Sequence, residues 1–166
     1  QTLMDLLRFY LKSEIEELKR NDVRLRVIGG RDGLDQDIQN LILFAEQRTE
    51  RNRRLNLTIA LNYGGRREIL VAVQTMIRSA VAGKLDPGSV NEQKFEEGLE
   101  THGLPDPDLL IRTSGECRLS NFLLWQCAYS EFVFTQTLWP DFGKAELITA
   151  IEEFHQRERR YGGTRA

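Results

Sequence analysis

Apolar residues recur along this chain with two different periods, and the switches between them mark out its elements. Leu3, Leu6, Leu7, Tyr10, Leu11, Ile15 and Leu18 stand at helical spacing, with Asp5, Lys12, Glu16, Glu17 and Lys19 between them. That predicts one long amphipathic helix, ended by Asn21-Asp22. Charged and apolar residues alternate from Arg24 to Ile28 and then meet Gly29-Gly30, which reads as a short strand and its turn. Asp35 is placed to cap a helix whose inner face is Ile38, Leu41, Ile42 and Ala45. Alternation returns with Leu55, Leu57, Ile59 and Leu61 on one face and Asn56, Thr58 and Ala60 on the other, the clearest strand of the chain. It runs into Asn62-Tyr63-Gly64-Gly65-Arg66, where two glycines allow a tight turn. Ile69, Leu70, Val73, Met76, Ile77, Ala80 and Val81 then predict a helix over 66–82.

The later patterns are shorter. Ser89-Val90-Asn91-Glu92 has capping-box spacing and predicts a polar helix to about Leu99. A proline-containing connector, 103–108, feeds the apolar run Leu109 to Ile111, a buried strand. Phe122, Leu123, Trp125, Ala128 and Tyr129 predict a helix over 121–130, and Phe132 to Thr135 a strand. Trp139-Pro140-Asp141-Phe142 is an aromatic turn, and Leu147, Ile148, Ile151 and Phe154 mark a last helix. Strands alternating with helices imply a three-layer α/β/α fold around a mostly parallel sheet.

Composition narrows the function. With 166 residues the chain is one domain, 1–166, large enough for a single core. Its formal charge of −2 provides no global basic field for nucleic acid, so any anion site must be local. Cys117 and Cys127 lack a metal spacing and read as reduced cytosolic thiols. His102 and His155 lie too far apart in sequence to suggest a histidine metal centre.

The local anion site is sought in Ile111-Arg112-Thr113-Ser114-Gly115-Glu116-Cys117-Arg118-Leu119-Ser120-Asn121. A strand ends on one arginine; a small flexible turn, a second arginine and a serine follow. Ligands of α/β proteins sit at the carboxyl ends of strands. Two guanidiniums, a hydroxyl and the N–H groups of a helix start would together suit a diphosphate. The alternative is that both arginines face solvent or pair with Glu116.

This segment, continued through Phe122-Leu123-Leu124-Trp125-Gln126, resembles the signature of the cis-prenyltransferases. Asn62-Tyr63-Gly64-Gly65-Arg66, Tyr129-Ser130-Glu131, Trp139-Pro140-Asp141-Phe142 and Arg160-Tyr161-Gly162 match further family motifs in the family's order. The resemblance implies a homodimer and a Mg²⁺-dependent reaction. In it isopentenyl diphosphate is joined in cis to an allylic diphosphate such as farnesyl diphosphate, giving a long-chain, undecaprenyl-type diphosphate. It implies that Arg112, Arg118 and Ser120 hold isopentenyl diphosphate, and that Arg160 and Gly162 reach the same site across the dimer. It further implies that Glu131 serves the metal and that Leu55 and Leu57 line the product tunnel. A lipid product also implies a cytoplasmic protein in peripheral contact with the inner face of the plasma membrane, through the apolar face of the first helix.

One departure is large. The family's leading Asp-Gly-Asn-Gly-Arg-Trp, which carries its main catalytic aspartate, has no counterpart among these residues, and neither has its Ser-x-x-Asn-Trp segment; the only Asp-Gly is Asp32-Gly33. The chain opens on Gln1, inside a helical pattern. The expectation is therefore the C-terminal two-thirds of such a domain, its sheet incomplete on the N-terminal side and inactive alone. The alternative is a non-catalytic subunit that completes a partner's site.

Overall fold

The computed structural model describes residues 3–157. The expected first helix is two: α1 (Leu3–Ser13) and α2 (Ile15–Arg20), with a bend at Glu14. Leu11 and Ile15 point into the core from either side of that bend, whereas Leu6 and Tyr10 stay exposed. Strand β1 (Val23–Ile28) follows, then α3 (Gln36–Thr49). Asp35 occupies the N-cap position of α3 without making the side-chain cap, because its carboxylate pairs with Arg8 instead. Leu25 of β1 and Ile38, Ile42 and Ala45 of α3 close with Leu11 and Ile15 into the main hydrophobic core.

Strand β2 (Leu55–Ala60) lies parallel to β1 in strict register, Leu25 opposite Leu57 and Val27 opposite Ile59. The outer edge of β1 is closed by side chains. Leu25 N donates to Thr49 Oγ1 at 3.1 Å, Val27 N to Glu46 Oε1 at 2.8 Å, and Gly29 N to the Glu100 carboxylate. An edge whose donors are spent no longer offers a template for another strand. The side chains of β2 are less covered: Leu25 is 3% exposed, its register partner Leu57 37% and Leu55 56%.

Helix α4 (Gly65–Val81) matches the expected span, but its inner face differs. The residues it buries are Gly65, Glu68 and Ala72, at spacings of three and four, while Leu70, Val73, Ile77 and Val81 are exposed. The apolar stripe read from the sequence is thus partly an outer face of the described residues, with Ile69, Met76 and Ala80 half-buried, and a carboxylate lies inside. A 3₁₀ turn (Pro87–Ser89) leads to α5 (Glu92–Glu96), whose cap is Asn91, accepting from Lys94 N at 2.9 Å, rather than Ser89.

Strands β3 (Leu109–Arg112) and β4 (Glu131–Phe134) form a second parallel pair, Leu109 opposite Glu131 and Arg112 opposite Phe134. The α/β class and the parallel strands are as expected; the strands divide into two two-stranded sheets. A 3₁₀ turn (Trp139–Asp141) and α6 (Lys144–His155) complete the described chain. No helix among the described residues is long and apolar enough to cross a membrane.

Candidate functional site

Residues 121–130 fold as consecutive turns, not as the expected helix. The cause is local: Ser120, Asn121 and Leu123 have φ of 51°, 64° and 45°, the left-handed region that interrupts a right-handed helix. Their apolar residues are spaced for a helix, but the backbone turns away to bring this segment under α4. No helix N-terminus therefore follows Arg118, and any anion held here must be held by side chains and turn backbone.

The turn after β3 is pinned to the exit of β4. Thr135 N donates to Arg112 O, Gly115 N to Thr135 O and Ser114 N to Thr137 O, each at 2.9 Å. Ser114 and Gly115 are both left-handed, with φ of 67° and 68°. Arg112 thus sits at the carboxyl end of a strand, on a fixed turn, and no carboxylate of the described residues lies within 4 Å of its guanidinium. Arg118 is exposed and paired with Glu116. The expected alternative of pairing with Glu116 is thus met by Arg118 and not by Arg112. Ser120 is exposed at the end of the same turn.

Glu131 stands elsewhere. By register it lies opposite Leu109, three residues below the Arg112 level, roughly 10 Å along the strand. Its carboxylate accepts from Arg157 Nη1 at 3.0 Å. Among the described residues no group of three His, Cys, Asp or Glu side chains is arranged to hold a metal ion. These residues thus make no all-protein metal cage; Mg²⁺ is usually held by one or two carboxylates together with substrate phosphates. Leu55 and Leu57 lie on the open face of β2. Arg160 and Gly162 fall outside the described residues.

Residues to which the sequence pattern assigned no individual role organise the ground beneath this turn. Gly65 N donates to Asn121 O at 2.8 Å and Arg66 N to Asn121 Oδ1 at 2.9 Å, so the Asn62–Arg66 turn and the arginine turn are one structure. Glu68, 3% exposed, accepts from Tyr63 Oη at 2.6 Å, Gln126 Nε2 at 3.1 Å and Glu100 N at 2.8 Å. Gln126 Nε2 also donates to Thr101 Oγ1 at 2.8 Å. Burial, then the Glu68 carboxylate, pushes the Tyr63 phenol above its ordinary range, so it remains a donor. The signal in the sequence was Glu68 itself, a charge three residues from Gly65 and four from Ala72 on one helix stripe.

The two glycines also act differently from the sequence expectation. Gly64 is extended, with φ of −158°, and needs no left-handed freedom. Its requirement is space: a Cβ there would lie 2.7 Å from Asn121 Nδ2, and one on Gly65 2.9 Å from Leu124 Cγ.

Known proteins resemble this chain in sequence and in fold. A family model described as "Putative undecaprenyl diphosphate synthase" matches residues 1–162. An isoprenyl transferase of Brucella suis biovar 1 (strain 1330) is 53% identical over 161 residues, 97% of this chain and 63% of that protein. An isoprenyl transferase of Clostridium perfringens (strain 13 / Type A) is 47% identical, over 97% of this chain and 64% of its own length. The chain thus spans less than two thirds of these curated relatives. Among solved structures, lavandulyl diphosphate synthase from Lavandula x intermedia, in complex with dimethylallyl diphosphate, superposes with a TM-score of 0.91 at 35% identity, covering 98% of this chain and 73% of that one. A probable undecaprenyl diphosphate synthase from Campylobacter jejuni gives 0.82 at 36% identity, covering 96% and 72%.

Proposed function

The chain belongs to the undecaprenyl diphosphate synthase family of cis-prenyltransferases, and from that premise we propose that its arginine turn is the isopentenyl diphosphate site of a polyprenyl diphosphate synthase. The observation that carries this reading is Arg112: a guanidinium at a strand's carboxyl end, on a turn held by three backbone hydrogen bonds and free of any carboxylate partner among the described residues. Arg118 supplies the second guanidinium by exchanging Glu116 for the diphosphate. Ser120 donates its hydroxyl, and Arg160 and Gly162 close on the same anion from the partner protomer. Bidentate guanidinium contacts fix a diphosphate's orientation as well as its charge. That aligns the acceptor double bond for attack on an allylic carbon. The allylic partner is a diphosphate such as farnesyl or dimethylallyl diphosphate, the latter being the ligand of the lavandulyl diphosphate synthase structure. Leu55, Leu57 and Ile59 supply apolar surface for the growing tail.

Mg²⁺ is the metal this reaction class implies, with Glu131 assigned to it. Arg157 engages the Glu131 carboxylate, and among the described residues no group of three acids, histidines or cysteines stands beside it. The exposed stripe Leu70, Ile77 and Val81 is the surface we assign to the homodimer. Sedimentation as a monomer at micromolar concentration would contradict that assignment.

The test is binding and turnover together. The 166-residue chain is expected to bind isopentenyl diphosphate. It is expected not to elongate farnesyl diphosphate with labelled isopentenyl diphosphate and Mg²⁺, because the Asp-Gly-Asn-Gly-Arg-Trp motif is not among its residues. Absence of isopentenyl diphosphate binding would overturn the site; elongation by this chain would overturn the expectation that turnover needs that motif.

A further inference from the structure

The first N–H groups of a helix have no partner within it. At the start of α4 the N-cap residue is Gly64, which has no side chain to offer. The cap comes instead from across the fold: Asn121 accepts Gly65 N with its carbonyl oxygen and Arg66 N with Oδ1. Two donors of α4 are thus spent on protein, which removes them from any anion-binding role. Asn121 adopts φ of 64°, and Ser120 before it φ of 51°. Asparagine tolerates that region better than most residues; serine gains less from it. The clamp therefore holds a left-handed step whose first residue is a proposed diphosphate ligand, with Arg118 two residues earlier. On the other side Gly64 has ordinary extended backbone, and its lack of a side chain is demanded only by Asn121 Nδ2, 2.7 Å from where a Cβ would stand.

We propose that Asn121 is a positioning residue for the diphosphate site: it caps α4 from a distance, fixes the Ser120–Asn121 step, and so sets the Ser120 hydroxyl and Arg118 guanidinium in the geometry that isopentenyl diphosphate requires. Gly64 is the other half of the same device, and its identity is set by Asn121. This inference rests on the reading of the turn as an isopentenyl diphosphate site.

The experiment uses the 166-residue chain and four variants: Asn121→Gly, Gly64→Ala, the double variant, and Arg118→Ala. Calorimetric affinity for isopentenyl diphosphate and the urea midpoint are measured in parallel. Asn121→Gly keeps the left-handed backbone accessible and removes only the side-chain clamp. It is expected to bind roughly threefold to thirtyfold more weakly, the range of a lost cap. Gly64→Ala is expected to weaken binding similarly by pushing Asn121 aside. The double variant is expected to bind no worse than Asn121→Gly, because the clash has gone; that non-additivity marks a shared contact. A merely structural Asn121 would lower the urea midpoint and leave the affinity of the folded protein unchanged, and that result overturns the proposal. Additive losses in the double variant overturn the link to Gly64. If Arg118→Ala loses affinity while Asn121→Gly does not, the positioning role fails and the site stands. If the unmodified chain does not bind isopentenyl diphosphate, the site reading fails and the inference falls with it.

Discussion

The two strands of the first sheet carry the same alternation of apolar residues in the same register, yet one is closed and the other open. Leu25 of β1 is packed under α1, α2 and α3, and the outer edge of β1 is spent on Thr49, Glu46 and Glu100. Leu57, its register partner on β2, stands 37% exposed, and α4 turns Leu70, Ile77 and Val81 outward. An apolar pattern states which face wants cover; whether cover is supplied depends on distant segments. In this fold the closed side sets stability. The open side runs into the Asn62–Arg66 turn, which Asn121 joins to the arginine turn proposed to hold substrate.

That contrast makes unequal predictions for the two sides. The largest effect is expected at the closed side: Ile42→Ala empties a fully buried position and should cost about 2–5 kcal/mol in urea unfolding. Isopentenyl diphosphate affinity of the folded protein should be unchanged. Glu68 joins the two sides. Glu68→Ala strands Tyr63 Oη and Glu100 N and leaves Gln126 only Thr101, for a loss of about 2–4 kcal/mol. Because Tyr63 belongs to the turn clamped by Asn121, this variant should also weaken binding, and a pure stability effect would separate the two sides more sharply than proposed here. At the open side Arg118→Ala should lose about 1–3 kcal/mol of binding free energy, the order of a charge-assisted contact, with the urea midpoint unmoved. Leu57→Ala, on the uncovered strand, should change stability by less than about 1 kcal/mol; a loss as large as that of Ile42→Ala would show that β2 is covered in solution.

The smallest effect concerns pH. The Arg8 guanidinium, hydrogen-bonded to Asp37 at 2.7 Å, holds that carboxyl below its usual range. A lowered carboxylate value contributes stability above the unfolded value, about pH 4, and that contribution is lost as pH falls through the folded value. Arg8→Met should therefore be slightly less stable than the unmodified chain at pH 6 and converge with it on acidification. Parallel curves would exclude the pairing.

Much of this was legible in the sequence. The boundaries of β2 and α4 followed from a change of period at Asn62, and Arg112 was placed at a strand's end because the apolar run stopped there. Local pattern also fixed β4 and α6. It failed over 121–130, where helical spacing coexists with three left-handed residues, one of them, Asn121, bonded to the start of α4. It failed again on the inner face of α4, since Glu68 is buried by partners from 63, 100 and 126 rather than by its own helix. Asn121 gave no signal of its capping role, because a cap supplied from across the fold leaves no mark in the residues beside the helix it caps.

The most direct measurement is a calorimetric titration of isopentenyl diphosphate into the 166-residue chain and into its Arg112→Ala/Arg118→Ala variant, with urea midpoints recorded for both. Saturable binding by the chain and its loss in the variant at an unchanged midpoint is the predicted result. Equal affinities in the two, or no binding by either, would contradict the assignment of the turn after β3 as the diphosphate site.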